Sequence, residues 1–427
     1  MRPVHRMLSL ALAASVAFSQ TASAFCGFYV ATGNSPLINK ASQVVLAHEG
    51  NTTRVTMASD VMGDPKQFGL VIPVPTVIKR EQVKILKPET VAHLAEYTKP
   101  RLVEYHDEDP CPPERGPMAT MAPSMMAAPA TAIRRKYVQR ESTVRIEAQY
   151  SVDEYDIIVL TATRPDDLVS YLNQNGYKVP PGAVPTVGSY LKQGMHFFLA
   201  KVNMAKMKSN NPTGFLRPIQ VTYQSPKFML PIRLGTANAD GPQDMIVMAL
   251  TRKGRIETTN YRTVKVPTDA EVPLFVQPRF GEFYDALFAR QVAANSATAF
   301  LEYAWDLGSC DPCSAPPLET GELLALGANW ERERGQNSFV TRLHLRYDAR
   351  SFPEDLVLHE TGDTQSFQAR YVMRHPFKGD TNCRAGRAYT ASLPARFARE
   401  ASTLQTLTGW LPEIIRQQMN ATGQPMP

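Results

Sequence analysis

Ser42-Gln43-Val44-Val45-Leu46-Ala47, His48-Glu49-Gly50-Asn51 and Arg54-Val55-Thr56-Met57-Ala58-Ser59 carry the clearest secondary-structure signal in the chain. The two flanking segments are short and rich in apolar and β-branched residues. The Gly-Asn pair between them favours chain reversal, so they predict two strands joined as a hairpin. Working outward, 28–30 and 68–73 are also extended. Gly63-Asp64-Pro65 turns the chain before the second of these, and Pro73 and Pro75 stop it from continuing as a central strand. Residues 89–97 place Val91, Leu94 and Ala95 on one helical face.

Further strands are predicted at 143–150, 155–161, 197–202, 218–223, 228–232, 245–250, 340–347, 356–359 and 369–373. A short helix at 168–174 is capped by Asp166 or Asp167 and ended by Asn175-Gly176. The longest helix is predicted at 280–305, where Phe283, Leu287, Val292, Ala299 and Leu301 recur near a helical period. Pro412 interrupts a final amphipathic stretch. Together these elements predict an α+β, β-rich fold of mostly antiparallel sheets with a few peripheral helices and long loops, not alternating βαβ units.

The first 24 residues have the layout of a secretory leader. Arg2, His5 and Arg6 open it, an apolar run covers 7–18, and Ala22-Ser23-Ala24 supplies small residues at a cut near Phe25. A periplasmic or secreted location follows, where cysteines pair before they bind metals. The rest divides into a β-rich region at 25–111, a Pro/Ala/Met-rich linker or loop at 112–133, a central α+β region at 134–278, and a C-terminal region at 279–427.

Bulk composition narrows the function classes. Hydrophobic content of 43% and charged content of 20% describe a globular protein. The formal charge is +6 over 427 residues, and losing Arg2 and Arg6 with the leader leaves +4. That charge is too small and too dispersed for a nucleic-acid partner. The densest basic spot, Ile133-Arg134-Arg135-Lys136, fits a solvated or protease-accessible edge. No apolar run of membrane-spanning length follows the leader. Bulky Phe25 before Cys26 argues against lipid attachment there, so a soluble mature chain is expected.

Five cysteines remain after the leader: Cys26, Cys111, Cys310, Cys313 and Cys383. Cys310-Asp311-Pro312-Cys313 is the sharpest motif, and it admits a structural bridge, a redox pair or half of a zinc site. A redox pair belongs between a strand and the helix it starts; here a helix is predicted before the motif and Ser314-Ala315-Pro316-Pro317 after it. A zinc site lacks its second ligand pair. Bridging needs only partners. Closing Cys310 to Cys313 is worth roughly 2 kcal/mol in chain entropy, and joining either to Cys383 roughly 4.4 kcal/mol. An odd count leaves at least one cysteine outside any internal bridge, and connectivity stays open.

Weaker constellations each have a plain alternative. Met118, Met121, Met125 and Met126 offer thioethers for Cu(I) beside Cys111, but Met is also a common filler in an Ala/Pro/Met loop. His106-Asp107-Glu108-Asp109 lacks the glycine turn and downstream Glu of a calcium loop, which leaves a solvated acidic loop. Ser189-Tyr190-Leu191-Lys192 matches Ser-x-x-Lys without the other two elements of the penicillin-recognising enzymes. Zincin, nucleophile-elbow, dinucleotide and P-loop patterns are absent; His359-Glu360 lacks its second histidine. His344 and His375 are expected to be satisfied structural residues, and Trp305, Trp330 and Trp410 core plugs in or beside helical segments.

The chain also resembles a bacterial family, domain of unknown function 2330. The likeness rests on Cys26-Gly27-Phe28-Tyr29-Val30, Ala41-Ser42-Gln43-Val44-Val45, and Gly63-Asp64-Pro65 through Val71-Ile72-Pro73-Val74-Pro75-Thr76. It continues through 97–105, Glu154-Tyr155-Asp156-Ile157, Asn175-Gly176-Tyr177, Leu230-Pro231-Ile232-Arg233-Leu234-Gly235 and Asn260-Tyr261-Arg262. Trp305-Asp306 with the Cys310–Cys313 motif and Leu407-Thr408-Gly409-Trp410 complete it. The resemblance implies an exported bacterial protein and carries no catalytic role onto any residue. Some members look membrane-anchored by a C-terminal tail; Gln424-Pro425-Met426-Pro427 gives no such tail here.

The expectation is therefore an exported, soluble protein without a cofactor, a non-enzymatic envelope component or binding protein fastened by disulfides. The runner-up is a thiol–disulfide protein using Cys310 and Cys313, followed by soft-metal binding through the methionine loop. No partner is specified.

Overall fold

In the computed structural model the hairpin arms are longer than the sequence signal. Ile38–Glu49 and Thr52–Met62 pair antiparallel and reverse at Gly50, whose φ of +60° favours glycine. The structure describes residues 22–23, 28–31, 38–62, 68–111, 144–175, 179, 182–210, 216–238, 241–309, 311, 315–332 and 337–425. Residues 1–21, most of the expected leader, and 112–133, the expected linker or loop, lie outside them, as do Cys26, Cys310, Cys313 and the methionines Met118, Met121, Met125 and Met126.

The hairpin sits inside a ten-stranded sheet. Its main path runs Arg262–Lys265, Thr298–Asp306, Phe339–Tyr347, Gln243–Thr251, Ile38–Glu49, Thr52–Met62, Ile219–Gln224 and Val83–Ile85. It takes strands from all three large regions of the sequence. A five-stranded antiparallel sheet runs Phe28–Ala31, Phe68–Val74, His196–Val202, Tyr155–Thr161 and Arg145–Val152. The fold is α+β and β-rich, with mostly antiparallel pairing.

Burial explains the order. Val44, Leu46, Val55 and Met57 share one core with Leu70, Ile72, Val159 and Phe198 of the five-stranded sheet. Val45 and Ala47, on the other face of the same strand, pack with Val91 and Leu94 of the Pro88–Thr98 helix and with Leu323 and Leu326. A strand buried on both faces reads as an unbroken apolar run, which is what Val44-Val45-Leu46-Ala47 shows. Helices Pro165–Gln174 and Ala183–Lys192 close the outer face of the second sheet through Leu168, Leu172, Val187 and Tyr190.

A smaller sheet at the C-terminal end orders Ala270–Val272, Arg370–His375 and Arg101–His106, all parallel. Helices Phe280–Ala294, Arg384–Thr408 and Pro412–Ala421 pack with it around Phe283, Leu287, Tyr371, Leu404 and Met419. The long helix ends at Gly409 with φ +74°.

Three expectations are corrected. Residues 280–305 are not one helix: Phe280–Ala294 is helical and Thr298–Asp306 is a central strand. Asn295-Ser296-Ala297 breaks them apart, with Ala297 at φ +51°. The strand is buried on both faces, so its apolar run imitates a helical stripe. Trp305 consequently lies on a strand, not in or beside a helical segment. The 228–232 strand shrinks to Met229–Leu230, between Pro226 and Pro231. Trp330 does plug the core, 1% exposed, with its Nε1 donating to Ser338 Oγ at 3.1 Å.

Candidate functional site

Where the small parallel sheet ends, the chain is fastened to itself. His106 stands opposite His375 in register, and the Asp107 N–H donates to the His375 carbonyl at 2.9 Å. Five residues on, Cys111 forms a disulfide with Cys383, with Cα atoms 6.1 Å apart and 272 residues of separation. Of the five candidate cysteines, these two are the ones the described residues bring together. On the chain-entropy model a loop of that length is worth about 5–6 kcal/mol, more than either Cys383 pairing considered from sequence.

Local chemistry positions both sulfurs. The Cys111 N–H donates to Asp109 Oδ1 at 2.8 Å, an Asx-type turn. Cys383 is the N-cap of the Arg384–Thr408 helix, and its Sγ accepts the Gly386 N–H at 3.1 Å. Gly386 is required sterically: a Cβ there would come 2.4 Å from the Thr381 carbonyl oxygen.

A charged cluster continues from the bridge. Asp107 Oδ2 accepts from Tyr389 Oη at 2.6 Å and Arg396 Nη1 at 2.5 Å. Burial opposes ionisation of Asp107, but these two bonds and the charges of Arg396 and Arg374 hold its carboxyl below the ordinary value. One turn along, Glu400 is 2% exposed and accepts from Gln424 Nε2 at 2.7 Å. Burial pushes its carboxyl up to about 7, against the Gln424 bond and the Arg396 charge. The His106 and His375 rings stack at 4.4 Å, and His375 Nε2 lies 2.9 Å from Glu104 Oε2.

A second cluster is sealed inside the large sheet. Glu302, fully buried, meets Arg342 Nε at 2.6 Å, His344 Nδ1 at 2.7 Å and Tyr284 Oη at 2.6 Å. Burial alone would raise the Glu302 carboxyl. His344 and Arg342, with hydrogen bonds from His344 and Tyr284, overcome that and hold it at about 2. His344 is thus a satisfied structural residue, stacked on Phe288 at 3.6 Å. In the sequence Glu302 has one signal, a lone carboxylate in Ala299-Phe300-Leu301-Glu302-Tyr303-Ala304, and a helical reading of 280–305 conceals it.

Asp311, between the two cysteines of the Cys310–Cys313 motif, is 7% exposed and accepts from Tyr303 Oη at 2.9 Å. The motif follows the Thr298–Asp306 strand, which overturns the expected helix before it. The next helix begins only at Thr320.

Among the described residues, no three His, Cys, Asp or Glu side chains are placed to hold a metal ion. Two clefts of about 280 and 150 Å³ lie beside Asp156 and Lys201 and beside Phe300 and Arg346. Both fall below the usual size of a small-molecule pocket.

The family model for domain of unknown function 2330, described as an uncharacterized protein conserved in bacteria, matches residues 20–359. The chain belongs to that family. The match holds Cys111, the Glu302 cluster and the Cys310–Cys313 motif, but stops short of the Leu407-Thr408-Gly409-Trp410 block read from the sequence. The bridge therefore ties a cysteine within the matched span to one beyond it. The chain matches no curated protein and no solved structure.

Proposed function

We propose that this is an exported protein, working in the periplasm or outside the cell as a non-enzymatic envelope component or binding protein. The observation that carries the proposal is the Cys111–Cys383 bridge. A covalent link of that reach persists in an oxidising compartment and is reduced in the cytosol. The layout of residues 1–24 supports the same route.

The state of two buried carboxylates, Glu302 and Asp355, supports a non-enzymatic role. Glu302 is held by Arg342, His344 and Tyr284. Asp355 accepts from Tyr190 Oη at 2.6 Å, from the Ile232 and Arg233 N–H groups, and from the Arg233 guanidinium at 2.9 Å. Carboxylates tied up this way stabilise the fold and leave little freedom for proton transfer. Among the described residues, no helix is long and apolar enough to cross a membrane.

Fractionation of cells producing the full chain, with intact-mass analysis and non-reducing peptide mapping, tests this. The expected product starts near Phe25, lies outside the cytosol and contains the Cys111–Cys383 peptide pair. A cytosolic protein that retains its leader and has both thiols free would overturn the proposal.

A further inference from the structure

His93, on the Pro88–Thr98 helix, is held at both ends of its ring by the chain that leads into the Thr320–Leu326 helix. Its Nδ1 lies 2.9 and 3.0 Å from the two Glu322 carboxylate oxygens, and its Nε2 lies 2.9 Å from the Pro316 carbonyl oxygen. A carboxylate and a carbonyl only accept, so both ring nitrogens must donate. Neutral imidazole has one N–H and satisfies one of these acceptors; imidazolium satisfies both. Glu322 is fixed as an acceptor, because it also takes the Glu319 N–H at 2.9 Å and so closes the capping box of its helix. Burial opposes ionisation of Glu322, but the Glu319 and His93 bonds hold its carboxyl below the ordinary value.

The surrounding charges favour the imidazolium. The Glu322 bond lifts the His93 ring above its ordinary 6.5, against burial, and the Pro316 carbonyl and the Glu322 and Glu319 charges add to the lift. On the same helix, Glu89 and Glu96 stand at one-turn spacing from His93, and Glu96 pairs with Lys99 at 2.5 Å. From the large sheet, Arg342 is engaged by the Ala95 carbonyl at 3.2 Å and by Glu302. Glu331, beside the core residue Trp330, is engaged by Ser338.

We propose that His93 is a proton-operated clasp: charged, it straps the 315–322 segment onto the Pro88–Thr98 helix, and loss of its proton releases that segment. The His93 side chain is 26% exposed, so its proton exchanges with water. The neutral ring keeps one donor, and either Glu322 or the Pro316 carbonyl loses its bond. Under the clasp, Ala315 and Leu318 pack on the core that holds Val91, Leu94, Leu323 and Leu326. Release uncovers that apolar edge. The folded ring holds its proton above the unfolded value of 6.5, so the clasp contributes fully below pH 6.5 and fades as pH rises through the folded value. It is closed in acid and open in alkali, across the range in which histidine charge changes near neutrality.

The probe is the proton itself. Amide hydrogen exchange of the native protein is measured at about pH 5.5 and about pH 8.5, corrected for the exchange of free amides, in a peptide covering 315–323. Protection there is expected to fall about tenfold from the lower to the higher pH, the factor that one hydrogen bond to a charged group supplies. His93→Gln donates to one acceptor and does not titrate, so its protection is expected to be low at both values. Glu400 titrates in the same range but sits on the Arg384–Thr408 helix, so its effect persists in the variant and cancels from the comparison. A fall below about threefold in the wild type, or an equal fall in His93→Gln, would overturn the inference. A histidine with a merely structural role would leave the protection of 315–323 flat with pH. Nitrogen-15 shifts of the His93 ring in the wild type give a second readout that does not depend on how the variant folds. Both nitrogens are expected to carry protons in acid, with a midpoint above 6.5. A midpoint at or below 6.5 would overturn the inference.

Discussion

Tyr303 donates a hydrogen bond of 2.9 Å to Asp311, and both residues are buried. This contact pins the middle of the Cys310–Cys313 motif to the strand that precedes it, and Gln368 Nε2 adds a bond to the same oxygen at 3.2 Å. Asp311→Ala removes the acceptor and leaves a buried tyrosine hydroxyl without this partner. The expected loss is about 1–3 kcal/mol in urea unfolding at pH 7. Unchanged stability would show that the contact does not hold the loop.

Glu302 sets an acid limit on the fold. Its folded carboxyl sits at about 2, below the ordinary 4.5, so its contribution is fully present above pH 4.5 and is lost as pH falls towards 2. That span corresponds to about 3 kcal/mol. Unfolding measured from pH 6 to pH 2 is expected to fall steeply in this window, and Glu302→Gln to flatten the slope. Glu302→Ala leaves Arg342 buried without its carboxylate and is expected to cost about 3–5 kcal/mol at pH 7. Parallel curves for wild type and Glu302→Gln would refute the assignment.

Removing the bridge tests its mechanical role. Chain entropy sets about 5–6 kcal/mol for a 272-residue separation, and native bridges usually deliver roughly 2–5 kcal/mol. Cys383→Ser is expected to lose stability in that range and to gain protease cleavage within 376–383. Its deficit relative to wild type should vanish when both are measured in reductant. A deficit that persists in reductant would show that the bridge is not its source, since a serine at 383 can itself accept the Gly386 N–H and cap the helix.

The sequence announced what depends on neighbours along the chain. Gly50-Asn51 closes the hairpin, and Tyr155–Thr161 was placed to the residue because alternating burial and β-branched side chains coincide there. The break at Asn295-Ser296-Ala297 escaped notice because no Gly or Pro marks it; Ala297 takes a positive φ that its side chain does not advertise. Glu302 was missed for the same reason. The Cys111–Cys383 pairing was unreadable in principle: it depends on Arg101–His106 lying parallel to Arg370–His375, a register set by packing across the whole chain. The α+β class was legible, since it follows from counting elements and needs no such contacts.

Glu400 should act in the opposite sense to Glu302. It lies 2% exposed on the Arg384–Thr408 helix, with Arg396 Nε at 3.4 Å and Gln424 Nε2 at 2.7 Å. Burial outweighs both partners and lifts the carboxyl from 4.5 to about 7. An acid with a raised folded value holds its proton longer in the folded state, so this group costs nothing below pH 4.5. The cost then grows as pH rises to about 7 and stays constant above. Glu400→Gln keeps the shape and the Gln424 contact while removing the charge. It is expected to be more stable than wild type by about 3 kcal/mol at pH 8 and close to it near pH 4.5, in urea unfolding at both values. A Gln variant weaker than wild type at pH 8 would mean instead that the Arg396 ion pair outweighs burial and that Glu400 stabilises the helix as a carboxylate.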